Sequence, residues 1–113
     1  MFEGYRISEG KVYNSDGHVA VLVSPGHGAG WSTWNLQHED CMFHPAFVMW
    51  VLRGSKDDEV PDPVEIFGED FYYSPISFDL EVAWLLPGEK FYIDEYESSE
   101  FIVTEADIQW RVA

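Results

Sequence analysis

Cysteine, apolar runs and a targeting signal are the features that this chain has least of. Cys41 is its only cysteine, so no intramolecular disulfide can form, which is compatible with a reducing compartment. No apolar run reaches the roughly 18 residues that a membrane span needs. The start, MFEGYRISEG, lacks the basic and apolar regions of a signal peptide. These absences predict a cytoplasmic protein with no membrane partner.

Basic side chains are also scarce. The chain has 6 lysines and arginines against 21 aspartates and glutamates, for a net charge of −15. This argues against direct nucleic-acid binding, because phosphate contacts require lysine and arginine. Residues 1–56 carry a net −1, whereas residues 57–113 carry a net −14. The second half therefore predicts an acidic surface that attracts a basic protein, or alternatively a solvated surface that keeps the protein soluble.

What the chain does have is enough apolar material for one domain covering residues 1–113. Hydrophobic residues make up 46% and aromatic residues 17%. The stretches YRIS, KVY and HVAVLVS, joined by the turn signals EG and NSDG, predict an opening antiparallel meander. HPAFVMWVLRG predicts one short helix, with Pro45 at its first position and Gly54 just past its end. The predicted class is α+β, a small antiparallel sheet packed with one short helix.

The second half predicts a connection followed by more strands. Residues 55–77 are interpreted as a long loop, because Pro61 and Pro63 interrupt the helical spacing of its acidic residues. The stretches FDLEVAWLL, KFYIDEYE, EFIVT and IQWRV then predict four consecutive strands. We expect these four to pair in order as a second antiparallel meander.

The stretch SPGHGAGWSTWN, residues 24–35, places three glycines and two tryptophans in one loop, which we call the Gly/Trp loop. One interpretation is a site for a nucleotide-like ligand, held by backbone N–H groups, hydroxyls and a stacked indole. The other is structural, with glycines permitting unusual backbone angles and tryptophans anchoring the loop. The stretch matches neither G-x-x-x-x-G-K-[ST] nor G-x-G-x-x-G. The candidate ligand-binding residues are Gly28, Gly30, Trp31, Ser32, Thr33, Trp34 and Asn35.

A metal site has only weak candidates. In HEDCMFH, the residues His38, Cys41 and His44 are spaced by three, with His27 or Asp40 as a fourth ligand. Structural zinc sites usually contain at least two cysteines, and this chain has one. The sequence therefore predicts no metal and no cofactor.

Catalytic chemistry has no recognisable motif. Neither a nucleophile elbow nor H-E-x-x-H is present. Asp79 and Glu81 share one face of a predicted strand, as acid–base catalysis requires, but a solvated sheet face explains them equally well. The sequence thus assigns no catalytic residue and argues against an enzyme.

Two motifs, VLVSPGHGAGWSTWN and DLEVAWLLPGEKFYIDEYESSEFIVTEAD, together resemble a family of small uncharacterised proteins of tailed bacteriophages. They cover roughly 40% of the chain. The resemblance implies a phage-encoded protein in the host cytoplasm but no particular activity. Two departures stand out: the family pattern leads us to expect an acidic residue at His44 and Asp-Gly in place of Ser98–Ser99.

Two hypotheses about function follow. In the first, this is a small acidic accessory protein that acts by non-enzymatic binding, for example by inhibiting a host nucleic-acid-handling or defence protein through an acidic face. In the second, it binds a small nucleotide-like ligand with the Gly/Trp loop. Monomer and homodimer both remain open. The candidate partner-binding residues are Asp57, Asp58, Glu59, Asp62, Glu65, Glu69, Asp70, Asp94, Glu95 and Glu97, with Glu100 expected beside them.

Overall fold

The fold combines two antiparallel sheets with two helices. A computed structural model describes residues 4–26, 30–107 and 112–113. The larger sheet has the order β1 (Arg6–Ser8), β2 (Lys11–Tyr13), β3 (Val19–Val23) and β4 (Glu81–Leu85). The smaller one is a hairpin of β5 (Phe91–Tyr96) and β6 (Ser99–Thr104). The helices are α1 (Pro45–Leu52) and α2 (Pro63–Phe67). The predicted α+β class is confirmed.

The opening meander and α1 lie where the sequence places them. Strands β1, β2 and β3 pair in order, all antiparallel. Helix α1 begins at Pro45 after its N-cap His44, and the chain leaves the helix at Arg53. Eight residues are too few for a stable isolated helix. Packing therefore holds α1 in place, with Phe47 and Val48 fully buried against the larger sheet. None of the helices that the structure describes is long and apolar enough to cross a membrane.

The core lies between α1 and β3 and extends to the Gly/Trp loop. All five residues of β3 are buried, which explains its continuous apolar sequence VAVLV. Besides residues of the strands and of α1, the core contains Cys41 from the 3-10 helix Glu39–Met42, and Trp31, Phe71 and Leu80 from irregular segments. The Gly/Trp loop is thus attached to the main apolar cluster.

The prediction of a second meander is wrong in its pairing. Strand β4 pairs with β3, in a register that runs from Val19↔Leu85 to Val23↔Glu81. Among the strands that the structure describes, β5 pairs with β6 and not with β4. The physical reason is that β3 is completely buried, so its backbone N–H and C=O groups need hydrogen-bond partners. Strand β2 supplies only one residue pair, and β4 pairs along the whole of the other edge. The predicted FDLEVAWLL strand is also too long, because residues Pro75–Phe78 form a 3-10 helix. The predicted strand IQWRV falls mainly outside the described residues.

The prediction of a helix-free connection at residues 55–77 is also wrong. Helix α2 begins at Pro63, the residue that was expected to prevent a helix. Proline is tolerated at the first helical position, where an N–H would have no partner in the helix. Asp62 caps this helix, since its Oδ1 accepts a hydrogen bond from the N–H of Val64 at 3.0 Å. A 3-10 helix, Asp57–Glu59, precedes it.

The β5–β6 hairpin turns one residue earlier than expected. Tyr96 and Ser99 form the last pair, so Glu97 and Ser98 are the turn residues. Both adopt positive φ, 51° and 64° respectively. Two central residues with positive φ are typical of a two-residue hairpin turn of type I′, in which asparagine and glycine are favoured.

Candidate functional site

The Gly/Trp loop is folded around the buried carboxylate of Glu100. Oε1 of Glu100 accepts a hydrogen bond from the N–H of Ser24 at 2.9 Å. Oε2 accepts three more, from the N–H of Trp31 at 2.8 Å, the N–H of Thr33 at 2.9 Å and the hydroxyl of Thr33 at 2.6 Å. Four donors around one acceptor group match an ionised carboxylate. The loop therefore binds an anion that its own chain supplies.

Glu100 corrects one prediction directly. The sequence analysis places it beside the exposed acidic surface, but its side chain is only 2% exposed. It lies on β6, and its backbone N–H also donates to the carbonyl of Ser24 at 2.9 Å. The hydroxyl of Ser99 donates to the carbonyl of Pro25 at 2.5 Å. Together these bonds attach the β5–β6 hairpin to the Gly/Trp loop.

Two of the predicted ligand-binding residues are placed close to each other. A Cβ atom at Gly30 would lie 2.4 Å from the indole nitrogen of Trp34, so glycine is required there by close approach. The half-buried Trp34 packs on Tyr72, with ring centroids 5.2 Å apart. Gly28 lies outside the described residues.

Trp31 and Asn35 use their polar groups inside the protein. Trp31 is fully buried, its ring centroid lies 4.8 Å from that of Phe47, and its Nε1–H donates to the carbonyl of Cys41 at 2.8 Å. The side-chain amide of Asn35 donates to the carbonyls of Trp31 and Tyr72. Its Oδ1 accepts from the N–H of Tyr72 at 2.7 Å. Neither side chain presents a free polar group to a ligand.

One open recess borders the loop. Its volume is about 460 Å³, and Ser32, Thr33 and Asn35 are among its lining residues. Its apolar lining includes Met42, Phe43 and Phe91 (the last from β5). The hydroxyl of Ser32 is buried and has no hydrogen-bond partner among the residues that the structure describes. This recess is the place where a ligand of the Gly/Trp loop would lie.

The three weak metal candidates have separate environments. Nε2 of His38 lies 3.0 Å from Oδ1 of Asp70. Cys41 is fully buried, and burial, reinforced by the nearby charge of Glu100, raises the pKa of its thiol well above the usual range. Among the residues that the structure describes, no three His, Cys, Asp or Glu side chains are arranged to hold a metal ion. His27 lies outside those residues.

His44, the third metal candidate, is the N-cap of α1. Its Nδ1 accepts a hydrogen bond from the N–H of Ala46 at 3.2 Å, which requires a neutral ring. Burial lowers the pKa of His44, and the charge of Asp40 opposes this shift. Its ring also packs against Phe67, with centroids 5.3 Å apart.

Acidification is expected to weaken the fold through His44. Below the ordinary histidine pKa of about 6.5, His44 of the unfolded chain takes up a proton, whereas His44 of the folded chain resists it. The stabilisation that the neutral His44 ring provides is therefore lost as pH falls. His44→Asn supplies a cap that does not titrate and should therefore flatten the dependence of unfolding free energy on pH between pH 7 and 5. Urea titrations at each pH measure the free energy of unfolding, with His18→Asn as the control. An unchanged slope in His44→Asn would contradict the role assigned to this ring.

The predicted partner-binding carboxylates fall into two groups. Seven lie in residues 57–70, which we call the acidic segment, and all seven are exposed. Of these, only Asp70 forms a salt bridge within the described residues, with His38. Asp94 and Glu95 are on β5 and Glu97 is in the hairpin turn, also exposed. The two groups therefore belong to different elements.

Apolar side chains border the acidic segment, and the sequence analysis did not single them out. Tyr72 is 65% exposed and Ile76 51% exposed. Next to them is a recess of about 480 Å³, which we call the Trp50 recess. The sequence signal that could have found this recess is the run of adjacent aromatic and acidic residues in EDFYYSPISFD. The lining of the recess consists of Trp50, Ser55, Asp57, Val60, Tyr73, Pro75, Phe78 and Asp79.

Asp79 and Glu81, the carboxylates considered for acid–base chemistry, are both exposed. Asp79 ends the 3-10 helix Pro75–Phe78, and Glu81 opens β4. The sequence pattern predicted that they share one strand face, and the structure does not place them so.

No protein family, curated protein or solved structure matches this chain.

Proposed function

We propose that this chain is a non-enzymatic binding protein whose acidic segment docks on a basic partner protein. The observation that carries the proposal is the exposure of seven carboxylates in residues 57–70, six of which form no salt bridge with a described residue. Carboxylates that pair with no cation in the described part of the chain are available to a partner's lysine and arginine side chains. Their field also speeds the arrival of such a partner.

Exposed apolar side chains beside the acidic segment support the same proposal. Interfaces combine a desolvated apolar centre, enriched in aromatic residues, with a polar rim. Tyr72, Tyr73 and Ile76 are exposed and follow the acidic segment directly in the chain. In this proposal they form the centre of the contact, and the carboxylates form its rim.

The resemblance to tailed-phage proteins suggests the class of partner. A phage-encoded accessory protein acts in the host cytoplasm, and host enzymes that handle nucleic acids carry basic grooves. We therefore propose that the partner is a host nucleic-acid-handling or defence protein, which the acidic segment inhibits by occupying its groove.

The test compares two variants of equal net charge. One is neutralised in the acidic segment, and the other carries four neutralised carboxylates elsewhere on the surface. In the segment variant Asp62→Asn preserves the helix cap. The segment variant is Asp57→Asn, Asp58→Asn, Glu59→Gln and Asp62→Asn, and the control is Asp16→Asn, Glu39→Gln, Glu81→Gln and Glu105→Gln.

Host protein captured at low salt is purified and titrated with each variant. At about 0.5 kcal/mol for each rim charge, the segment variant should bind about 30-fold more weakly, while the control retains its affinity. High salt should weaken the wild type as well, because it screens exposed charges. Equal losses in both variants would instead indicate non-specific attraction by net charge and would overturn the proposal.

The alternative, a nucleotide-like ligand on the Gly/Trp loop, has one supporting observation. This is the recess of about 460 Å³ beside Ser32, whose buried hydroxyl has no hydrogen-bond partner in the described part of the chain. Against it, the backbone donors of Trp31 and Thr33 are already used by Glu100. A thermal-shift titration with nucleotides tests this alternative, since a ligand of the folded state raises the melting temperature. A uniformly silent panel would eliminate it.

A further inference from the structure

The Trp50 recess has an aromatic lining held by packing. Trp50 is 3% exposed, and its Nε1–H donates to the carbonyl of Lys56 at 2.8 Å, which fixes the indole. The ring centroid of Phe78 lies 6.3 Å from that of Trp50 and 5.3 Å from that of Tyr73. The three rings therefore form a connected cluster on the lining.

The charged side chains that line this recess are both acidic. Asp57 and Asp79 line it, both exposed, and none of its other lining residues is basic. A carboxylate or phosphate ligand would be repelled there. A cation is attracted both by carboxylates and by the faces of aromatic rings.

Among biological cations, the arginine side chain suits such a lining best. Its guanidinium is planar, stacks on aromatic rings, pairs with carboxylates through two parallel N–H donors and is weakly hydrated. A lysine ammonium is compact and more strongly hydrated, so it gains less from an aromatic wall. The combination of Tyr73, Phe78 and two carboxylates thus favours arginine over lysine.

We propose that the Trp50 recess binds an arginine side chain of the basic partner. The guanidinium lies against the aromatic lining and pairs with Asp57 and Asp79. This inference rests on the proposed function, because the arginine belongs to the protein that docks on the acidic segment. It adds a specificity that the exposed carboxylates alone do not provide.

The probes are two synthetic peptides, each of about a dozen residues, in which arginines or lysines alternate with glycine and serine. Both are titrated at low salt into the full chain labelled with ¹⁵N. The indole resonance of Trp50 reports on the recess, since this group is hydrogen-bonded beside it. We expect the arginine peptide to bind about fivefold more tightly than the lysine peptide and to shift that resonance.

Two single variants locate the site. Tyr73→Leu removes an aromatic wall and Asp79→Asn removes a carboxylate, so each should abolish the preference for arginine and leave the lysine peptide nearly unaffected. The matched controls are Tyr92→Leu and Asp16→Asn, which change the same residue types at exposed positions outside the recess and outside the acidic segment. Both controls should keep the preference.

The outcomes separate this inference from the proposed function. Equal affinities for the two peptides, with shifts in the acidic segment but none of the Trp50 indole resonance, would overturn the arginine site and leave the docking proposal intact. An arginine preference that survives in both Tyr73→Leu and Asp79→Asn would also overturn the site. Absence of binding by either peptide at low salt would overturn both proposals.

Discussion

Glu100→Ala is expected to lower the free energy of unfolding by about 3–5 kcal/mol, because it leaves several buried N–H donors without an acceptor. The carboxylate accepts hydrogen bonds from the backbone at Ser24, Trp31 and Thr33, and its side chain is 2% exposed. The donors lie on the Gly/Trp loop and the acceptor lies on β6, so the change also loosens the attachment of the hairpin. Urea denaturation monitored by circular dichroism measures the loss.

Glu100→Gln separates charge from shape. Its amide has nearly the same size, but one of its two terminal atoms is a donor that faces another donor, so we expect an intermediate loss of about 2–3 kcal/mol. The control is Glu81→Gln, an exposed carboxylate of β4 whose change should stay within about 0.5 kcal/mol. A loss in Glu100→Ala no larger than that of the control would show that water replaces this carboxylate without cost.

Trp31→Ala is expected to cost about 4–5 kcal/mol, the upper part of the range for large-to-small changes in a core. Trp31 is fully buried among other rings, with its ring centroid 4.8 Å from that of Phe47 and 5.0 Å from that of Phe71. Its indole N–H also donates to the carbonyl of Cys41. Removal of the indole therefore leaves a cavity and an unpaired buried carbonyl.

Trp31→Phe keeps a ring and loses the hydrogen bond, so a smaller loss of about 1–3 kcal/mol is expected even if the alanine variant does not fold. Trp34→Ala is the matched control, since Trp34 is only half-buried and packs on the exposed Tyr72. Chemical denaturation of all three variants gives the comparison. A larger loss for Trp34→Ala than for Trp31→Ala would contradict the assignment of Trp31 to the core.

These two residues decide how the Gly/Trp loop is understood. Its backbone donors do converge on an anion, as the ligand interpretation expects, but the anion is the side chain of Glu100. Binding of a phosphate by the same donors would require that the carboxylate leave. Loss of ligand binding in Trp31→Ala would not identify a binding site, because this change is expected to damage the core itself.

Local patterns were sufficient for several elements. The five apolar residues of β3, the proline at the start of α1 and the turn signals of the opening meander each act within a few residues of chain. Position within an element was harder to predict. Pro63 has the same chemistry as Pro45, but the helical spacing of the acidic residues begins before Pro63, so the pattern predicts a break at this proline, whereas α2 begins there.

The sequence by itself determined the α+β class, the acidic second half and the opening meander, since composition, charge and short-range periodicity carry that information. Tertiary structure alone decided that β4 pairs with β3 and that Glu100 is buried against the Gly/Trp loop. It also decided that Asp57 and Asp79 line one recess. Each of these joins residues more than twenty positions apart, and such pairings depend on which buried edge or buried donor lacks a partner, a property that no local pattern records.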